Sequence, residues 1–147
     1  MCETAKNLTR NLYVIDRSTH RYYVRELRKL GLTLGQFPFL VGIAENDGIS
    51  QEKLSAYVGI SKSTTALMIR QLVEKGFVSR EIDLYDKRNF CLHLTEEGKS
   101  LLPRVDTVIN CCHSWITAPL SAAEKKLFES LVEKVCFHVD RKAFRKV

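Results

Sequence analysis

The sequence predicts a mainly α fold with a small β-wing: a winged helix-turn-helix domain carried between long terminal helices. Three observations lead there. Two short helical runs, 50–58 and 61–75, are separated only by Gly59-Ile60, a break of turn length. Two strand-like segments, 77–83 and 88–94, follow around the charged tip Leu84-Tyr85-Asp86-Lys87. Outside that stretch lie longer amphipathic runs with apolar residues at helical spacing.

Composition bounds the rest. A chain of 147 residues predicts one compact domain with a helical extension. A hydrophobic content of 45% suffices for a core. The net charge of +6 favours a polyanionic partner. No apolar run approaches ~18 residues, so no membrane span or membrane partner is expected. Met1-Cys2-Glu3-Thr4-Ala5-Lys6 carries no apolar signal core, so a cytoplasmic location is expected. The five cysteines, Cys2, Cys91, Cys111, Cys112 and Cys136, lack framework spacing and read as reduced thiols.

The elements follow in order. Residues 4–30 read as one long helix: Leu8, Leu12, Ile15, Thr19, Tyr22 and Glu26 recur at helical spacing, with Tyr23, Leu27 and Leu30 on the adjoining face. Gly31 ends it. Thr33 and Gln36 make a capping box for the next helix, whose expected core face is Phe37, Leu40, Val41 and Ala44. Pro38 sits early enough in that helix to be tolerated. Asn46-Asp47-Gly48 is turn chemistry. Ser50 caps the first helix of the pair, Leu54 and Val58 face inward, and Gly59 supplies the left-handed turn. Ser61 caps the second, with Thr65, Met68, Ile69 and Leu72 as its buried stripe. In the ribbon, Phe90, Leu92 and Leu94 alternate with Asn89, Cys91 and His93. Thr95 caps a helix running to about 116, interrupted by Pro103, with Leu101, Val105, Val108 and Cys112 on its apolar face. Ser121 and Glu124 box the last helix, whose stripe is Leu127, Leu131, Val135, His138 and Val139. The organisation expected is a single chain, 1–147, with residues 31–95 as the winged helix-turn-helix DNA-binding region. Residues 1–30 and 96–147 are expected to form a helical dimerisation region, because long amphipathic helices outside the domain need each other or a second chain, and a symmetric dimer is the natural solution.

The second helix of such a pair is the one that enters a DNA major groove. Ser61, Lys62, Ser63 and Thr64 open it, where free amides and the helix dipole favour phosphate. Ala66, Leu67, Arg70 and Gln71 complete its outer face, and Ala66 and Leu67 can offer only apolar contacts such as those to thymine methyls. Lys87 and Arg88 at the wing tip suit a narrow minor groove, where shape rather than a base code is read.

These residues resemble the MarR family of transcription regulators. The family's wing signature, Asp-x-Arg, five residues, Leu-Thr, two residues and Gly, appears as Asp86-Lys87-Arg88 and then Leu94-Thr95-Glu96-Glu97-Gly98. Leu54, Gly59, Ser63-Thr64, Leu72, Glu74, Lys75 and Gly76 match its helix pattern. The resemblance implies a homodimer that binds an inverted-repeat operator in double-stranded DNA, as a repressor released by a small aromatic or anionic ligand. It implies that Asp86 holds a wing arginine by an ion pair. It places a ligand pocket among Tyr13, Arg17, His20, Arg21, Phe37, Phe39 and Trp115. Family members often carry Thr and Arg where Ala66 and Leu67 stand here.

No nucleophile elbow, phosphate-binding glycine loop or paired metal motif occurs, so an enzyme is not expected, nor a cofactor. Cys112-His113 and Cys136-x-His138 could supply soft ligands, but no His-x-x-x-His pair accompanies them, and no metal site is expected. Two alternatives remain open: a winged-helix protein–protein interaction module, and a redox-responsive regulator using a free cysteine.

Overall fold

The computed structural model describes residues 3–82 and 90–143. The chain runs α1 (Glu3–Arg28), α2 (Phe37–Glu45), β1 (Ile49–Ser50), α3 (Gln51–Val58), α4 (Lys62–Glu74), β2 (Val78–Ile82), β3 (Phe90–Leu94), α5 (Glu96–Thr117) and α6 (Ala122–Ala143). The fold is mainly α with a small antiparallel sheet. It divides into two compact units, Met1–Cys112 and His113–Val147, and the division falls within α5.

Chemistry within a few residues sets the helix ends. The Leu32 N–H donates to the Leu27 carbonyl at 3.0 Å and the Gly31 N–H to that of Arg28 at 3.1 Å, with Gly31 at φ +73°. That pair of bonds closes α1, and Leu27 and Leu32, both buried, make the hydrophobic contact that accompanies it. Only the C-terminal turns of α1 reach the core; Leu8, Leu12 and Ile15 are exposed. The Thr33–Gln36 box forms as expected: the Thr33 N–H donates to Gln36 Oε1 at 3.1 Å and the Gln36 N–H to Thr33 Oγ1 at 3.2 Å. Regular helix nevertheless begins only at Phe37. Pro38 has no N–H for the Leu34 carbonyl, so the ladder misses a rung there.

The core face of α2 differs from the expected one. Phe39, Leu40 and Ile43 are fully buried, whereas Phe37, Val41 and Ala44 are only half-buried around that core. The later helical start does not change the spacing of side chains; what rotates the buried face is packing on two sides. Gly42 is also buried, and a Cβ there would stand 2.8 Å from Leu54 Cδ1, so α2 and α3 approach closely along it.

Residues Asn46 to Ile49 make a turn, with the Ile49 N–H donating to the Asn46 carbonyl at 3.0 Å and Gly48 at φ +77°. The turn delivers β1, an element absent from the sequence reading. The sheet order is β1-β3-β2, all antiparallel. Ile49 pairs with Leu92, and Val78, Arg80 and Ile82 pair with Leu94, Leu92 and Phe90. Leu92 and Leu94 face inward as expected. Phe90, which alternates with them in sequence, does not: it and its partner Ile82 are exposed.

Thr95 joins three elements. Its hydroxyl accepts from the Gly98 N–H at 3.0 Å, capping α5, and donates to the Gly76 carbonyl at 2.6 Å, while its own N–H donates to the Phe77 carbonyl. α5 then runs through Pro103 without the expected interruption, losing only the bond that Pro103 would make to the Lys99 carbonyl. Leu101, Val105 and Val108 of α5 belong to one core with Leu27, Leu30, Leu54, Ile69, Leu72 and Leu92, so the core extends past both ends of 31–95. Each such buried side chain contributes about 1.5–3 kcal/mol of burial free energy.

Thr65 is the exception inside this core. It is fully buried on α4, and its hydroxyl has no hydrogen-bond partner among the described residues. An unsatisfied buried hydroxyl costs about 1–3 kcal/mol, and valine has the same shape. Thr65→Val is therefore expected to leave stability unchanged or raise it by about 1 kcal/mol in urea titration; a loss of that size would mean the hydroxyl has a partner.

In the second unit, Ser121 and Glu124 form their box: the Ser121 N–H donates to Glu124 Oε2 at 2.8 Å and the Glu124 N–H to Ser121 Oγ at 3.4 Å. The Ser121 hydroxyl also donates to Glu124 Oε2 at 2.7 Å, and that bond first, then the one from the Ser121 N–H, holds the Glu124 carboxyl below its ordinary range. The stripe of α6 is uncovered, with Leu127, Leu131, Val135 and Val139 all exposed. Among the described residues no helix is long and apolar enough to cross a membrane.

Candidate nucleic-acid interface

The turn between α3 and α4 is made by more than Gly59. Ser50 Oγ accepts from the Lys53 N–H at 3.3 Å and starts α3, and Gly59 ends it at φ +72°. Ser55, buried and unremarked in the sequence reading, then donates from Oγ to the Ile60 carbonyl at 2.6 Å, while the Ile60 N–H returns to the Ser55 carbonyl at 3.1 Å. One small hydroxyl thus fixes the angle at which α4 leaves α3. Its signal was a serine on the buried side of a helix, which propensity alone would read as neutral.

α4 begins with a cluster of hydroxyls. Ser61 Oγ accepts from the Thr64 N–H at 3.3 Å and lies 2.9 Å from Thr64 Oγ1 and 3.1 Å from Ser63 Oγ. All three residues are exposed, so this end presents hydroxyls together with free backbone amides. Lys62 Nζ donates to Glu52 Oε1 at 2.5 Å. That hydrogen bond from Lys62 lowers the Glu52 carboxyl. Both side chains are 73% exposed, so the pair is weak in water and Lys62 can exchange its carboxylate for a phosphate at little cost.

Further along, Leu67 and Arg70 are exposed and Ala66 is half-buried. The Arg70 guanidinium stands 3.7 Å from Glu74. Ser63, Leu67 and Arg70 therefore share the outward face, as expected. Gln71 is different: it is half-buried, and its Oε1 accepts from Gln36 Nε2 at 2.9 Å. The wing residues Asp86, Lys87 and Arg88 lie outside the described residues. At the base of the ribbon His93 links the neighbouring loop and strand, with Nδ1 2.9 Å from Asp47 Oδ1 and Nε2 4.0 Å from Glu81 Oε2.

Six of the seven candidate ligand residues lie in the first unit. Tyr13 is exposed, with the Arg17 guanidinium 6.0 Å above its ring. His20 and Arg21 line a shallow depression of about 390 Å³ together with Val24, Arg25 and Arg28. Phe37 stacks on Tyr23, ring centroids 5.8 Å apart and planes 25° off parallel. Phe39 is wholly committed to the core. Trp115 belongs to the second unit, where it is exposed.

The thiols sit in contrasting places. Cys112 is buried, Cys91 half-buried, and Cys111 and Cys136 exposed. The Tyr23 hydroxyl is pushed up to about 12, by burial first and then by its hydrogen bond with Cys112. His113 is held by Glu129, Nε2 to Oε1 2.7 Å. Among the described residues no group of three or more His, Cys, Asp or Glu could hold a metal ion.

Comparison with known proteins gives this geometry a context. A family model described as "MarR family" matches residues 32–90. The transcriptional regulator HosA of Escherichia coli O157:H7 is 34% identical over 104 residues, which are 71% of this chain and 77% of that protein. A MarR transcriptional regulator from Methanosarcina mazei Go1 superposes with a TM-score of 0.83 at 29% identity, covering 95% of this chain and 99% of that one. A cysteine-to-serine mutant of MarR from E. coli, solved in complex with operator DNA, superposes with a TM-score of 0.77 at 26% identity, over 88% of this chain and 93% of that one.

Proposed function

The chain belongs to the MarR family and is a transcriptional regulator rather than an enzyme, and from that premise we propose that it binds an inverted-repeat operator in double-stranded DNA as a homodimer and represses from it. The observation that carries this is the outer face of α4. A Ser61-capped N-terminus with Lys62, Ser63 and Thr64 leads into Leu67 and Arg70, all exposed. Hydroxyls, amides and the lysine hold phosphates and set register; Leu67 and Arg70 meet base edges. Ala66 and Leu67 make apolar contacts to thymine methyls rather than hydrogen bonds. Lys87 and Arg88 reach an adjacent minor groove from the wing, with Asp86 holding the arginine in place.

The homodimer is supported by the apolar residues that one chain leaves uncovered: Leu8, Leu12 and Ile15 on α1, and Leu127, Leu131, Val135 and Val139 on α6. Residues 31–95 are the reading region in this scheme, and 1–30 with 96–147 pair the protomers. Two recognition helices about 34–36 Å apart then meet half-sites one turn apart. Release by a small aromatic or anionic ligand finds its support in the arginines and histidine of the α1 depression.

Binding of the full chain to duplexes from its own upstream DNA tests the reading. The logarithm of affinity should fall with the logarithm of salt at a slope of roughly −5 to −9, as for about 6–10 phosphates neutralised. A flat salt response would favour the protein–protein module instead. Arg70→Ala is expected to cost about 1–3 kcal/mol and flatten preference at one base pair; uniform weakening with a salt slope shallower by about one would put Arg70 on phosphate.

A further inference from the structure

A chain of hydrogen bonds runs from the start of α2 to the half-buried Gln71 on α4, and its direction is determined throughout. It begins at Gln36, 2% exposed. Gln36 Oε1 accepts from the Thr33 backbone N–H at 3.1 Å and from Lys75 Nζ at 2.8 Å. Lys75 also donates to the Gly31 carbonyl at 2.5 Å, which anchors it. A backbone amide and an ammonium can only donate. The atom of Gln36 that meets both must therefore be its oxygen; the amide turned over would set an NH2 against two donors. That leaves Gln36 Nε2 facing Gln71, 2.9 Å away. An NH2 facing Gln71 requires an acceptor, so Gln71 presents Oε1 inward and Nε2 away from Gln36. Gln71 Nε2 has no protein partner among the described residues, and it is not among their buried unsatisfied atoms.

We propose that Gln36 is a specificity-determining residue that never touches DNA: it polarises the Gln71 amide, so that the recognition helix offers a hydrogen-bond donor, and not a donor–acceptor pair, to the base beneath Gln71. The proposal rests on the reading that α4 lies in the major groove with Gln71 at a base edge. A glutamine free to lie flat pairs bidentately with adenine, giving its oxygen to N6 and its nitrogen to N7. With Oε1 held inward by Gln36, that arrangement is closed. The outward NH2 suits edges that present acceptors without an adjoining donor on the same base, guanine through O6 and N7 or thymine through O4, over adenine, whose N7 is flanked by the N6 amino group. A capping box, ordinarily a device for starting a helix, here sets which end of a second glutamine faces outward on another helix.

The test is the base preference of the full-length protein across an operator library substituted one position at a time. Gln71→Ala locates the position, by flattening preference there and nowhere else. At that position the native protein should prefer guanine or thymine on the contacted strand. Gln71→Glu keeps an acceptor for Gln36 Nε2 and turns the outward donor into an acceptor. It should move the preference to cytosine or adenine by about 10-fold or more, the scale of one base-edge contact. Gln36→Met frees the amide to turn, and discrimination against adenine at that position should fall about 5-fold with other positions unchanged. Thermal melting checks that each variant is folded; should Gln36→Met not fold, the Gln71→Glu preference decides by itself. A native preference for adenine, an unmoved preference in Gln71→Glu, or no flattening by Gln71→Ala would overturn the proposal while leaving operator binding intact. Absence of any sequence-specific binding by the native chain would overturn operator binding itself, and the proposal with it.

Discussion

Gly98→Ala is expected to destabilise the protein by about 2 kcal/mol or more. Gly98 opens the first turn of α5, where a Cβ would stand 2.1 Å from the Phe77 carbonyl oxygen and 3.0 Å from its carbon. The obstacle is backbone at the start of β2, not the flexible end of a side chain. The same carbonyl already accepts from the Thr95 N–H, so moving it breaks the contact that ties α5 to the sheet. Alanine would gain about 1 kcal/mol in helix propensity. The clash costs about 3 kcal/mol or more, which leaves a net loss that is a large share of a typical domain's stability. Gly76→Ala is the informative contrast. A Cβ at Gly76 meets nothing within 4 Å, but the residue sits at φ +75°. It should lose about 1–2 kcal/mol from backbone strain alone. Urea unfolding of both variants would separate the two causes, and a Gly98→Ala protein as stable as Gly76→Ala would refute the backbone-clash account.

If the chain pairs and binds its operator as proposed, placing glutamates at Leu127 and Leu131 together is expected to split the dimer and remove specific operator binding while each protomer stays folded. Both residues are on the uncovered stripe of α6, 59% and 50% exposed in the single chain. Charges there disturb no core within the protomer, so any effect must come from what covers them. A monomer meets one half-site at a time and loses the geometry that couples two. Operator affinity should fall on the order of 10³-fold, towards the level of non-specific binding. Sedimentation should show single chains, with helical circular dichroism retained over the winged-helix unit. Persistence of dimers with native affinity would move the interface to α1, where Leu8 and Leu12 are uncovered as well.

What could be read in advance was what lies within four residues along the chain. Thr33 with Gln36, Ser121 with Glu124, Ser50, Ser61 and the left-handed Gly31 and Gly59 all do in the structure what their side chains do locally. The wing signature was legible for a related reason: Thr95 and Gly98 form one helix cap, and only a glycine can lie that close to a neighbouring strand. These motifs drew the order of the helices and of the two longer strands, the outward polar face of α4 and the family.

The sequence by itself determined which residues cap most of the helices, which helix carries the outward polar face, and which family shares that pattern. Tertiary structure alone decided which atoms met across long separations. β1 exists because Ile49 found Leu92, a pairing with no local trace. Phe39 rather than Phe37 fills the core because α2 is packed on two sides. Phe90 stays exposed while Leu92 and Leu94 on the same strand are buried, because the fold covers only those two. Gln71 looked like any glutamine on an outer face until Gln36, 35 residues earlier, took its oxygen. The physical reason is common to all four. Propensity and capping are short-range and stay with the residue, whereas burial and the direction of a hydrogen bond belong to the partner that the fold brings near.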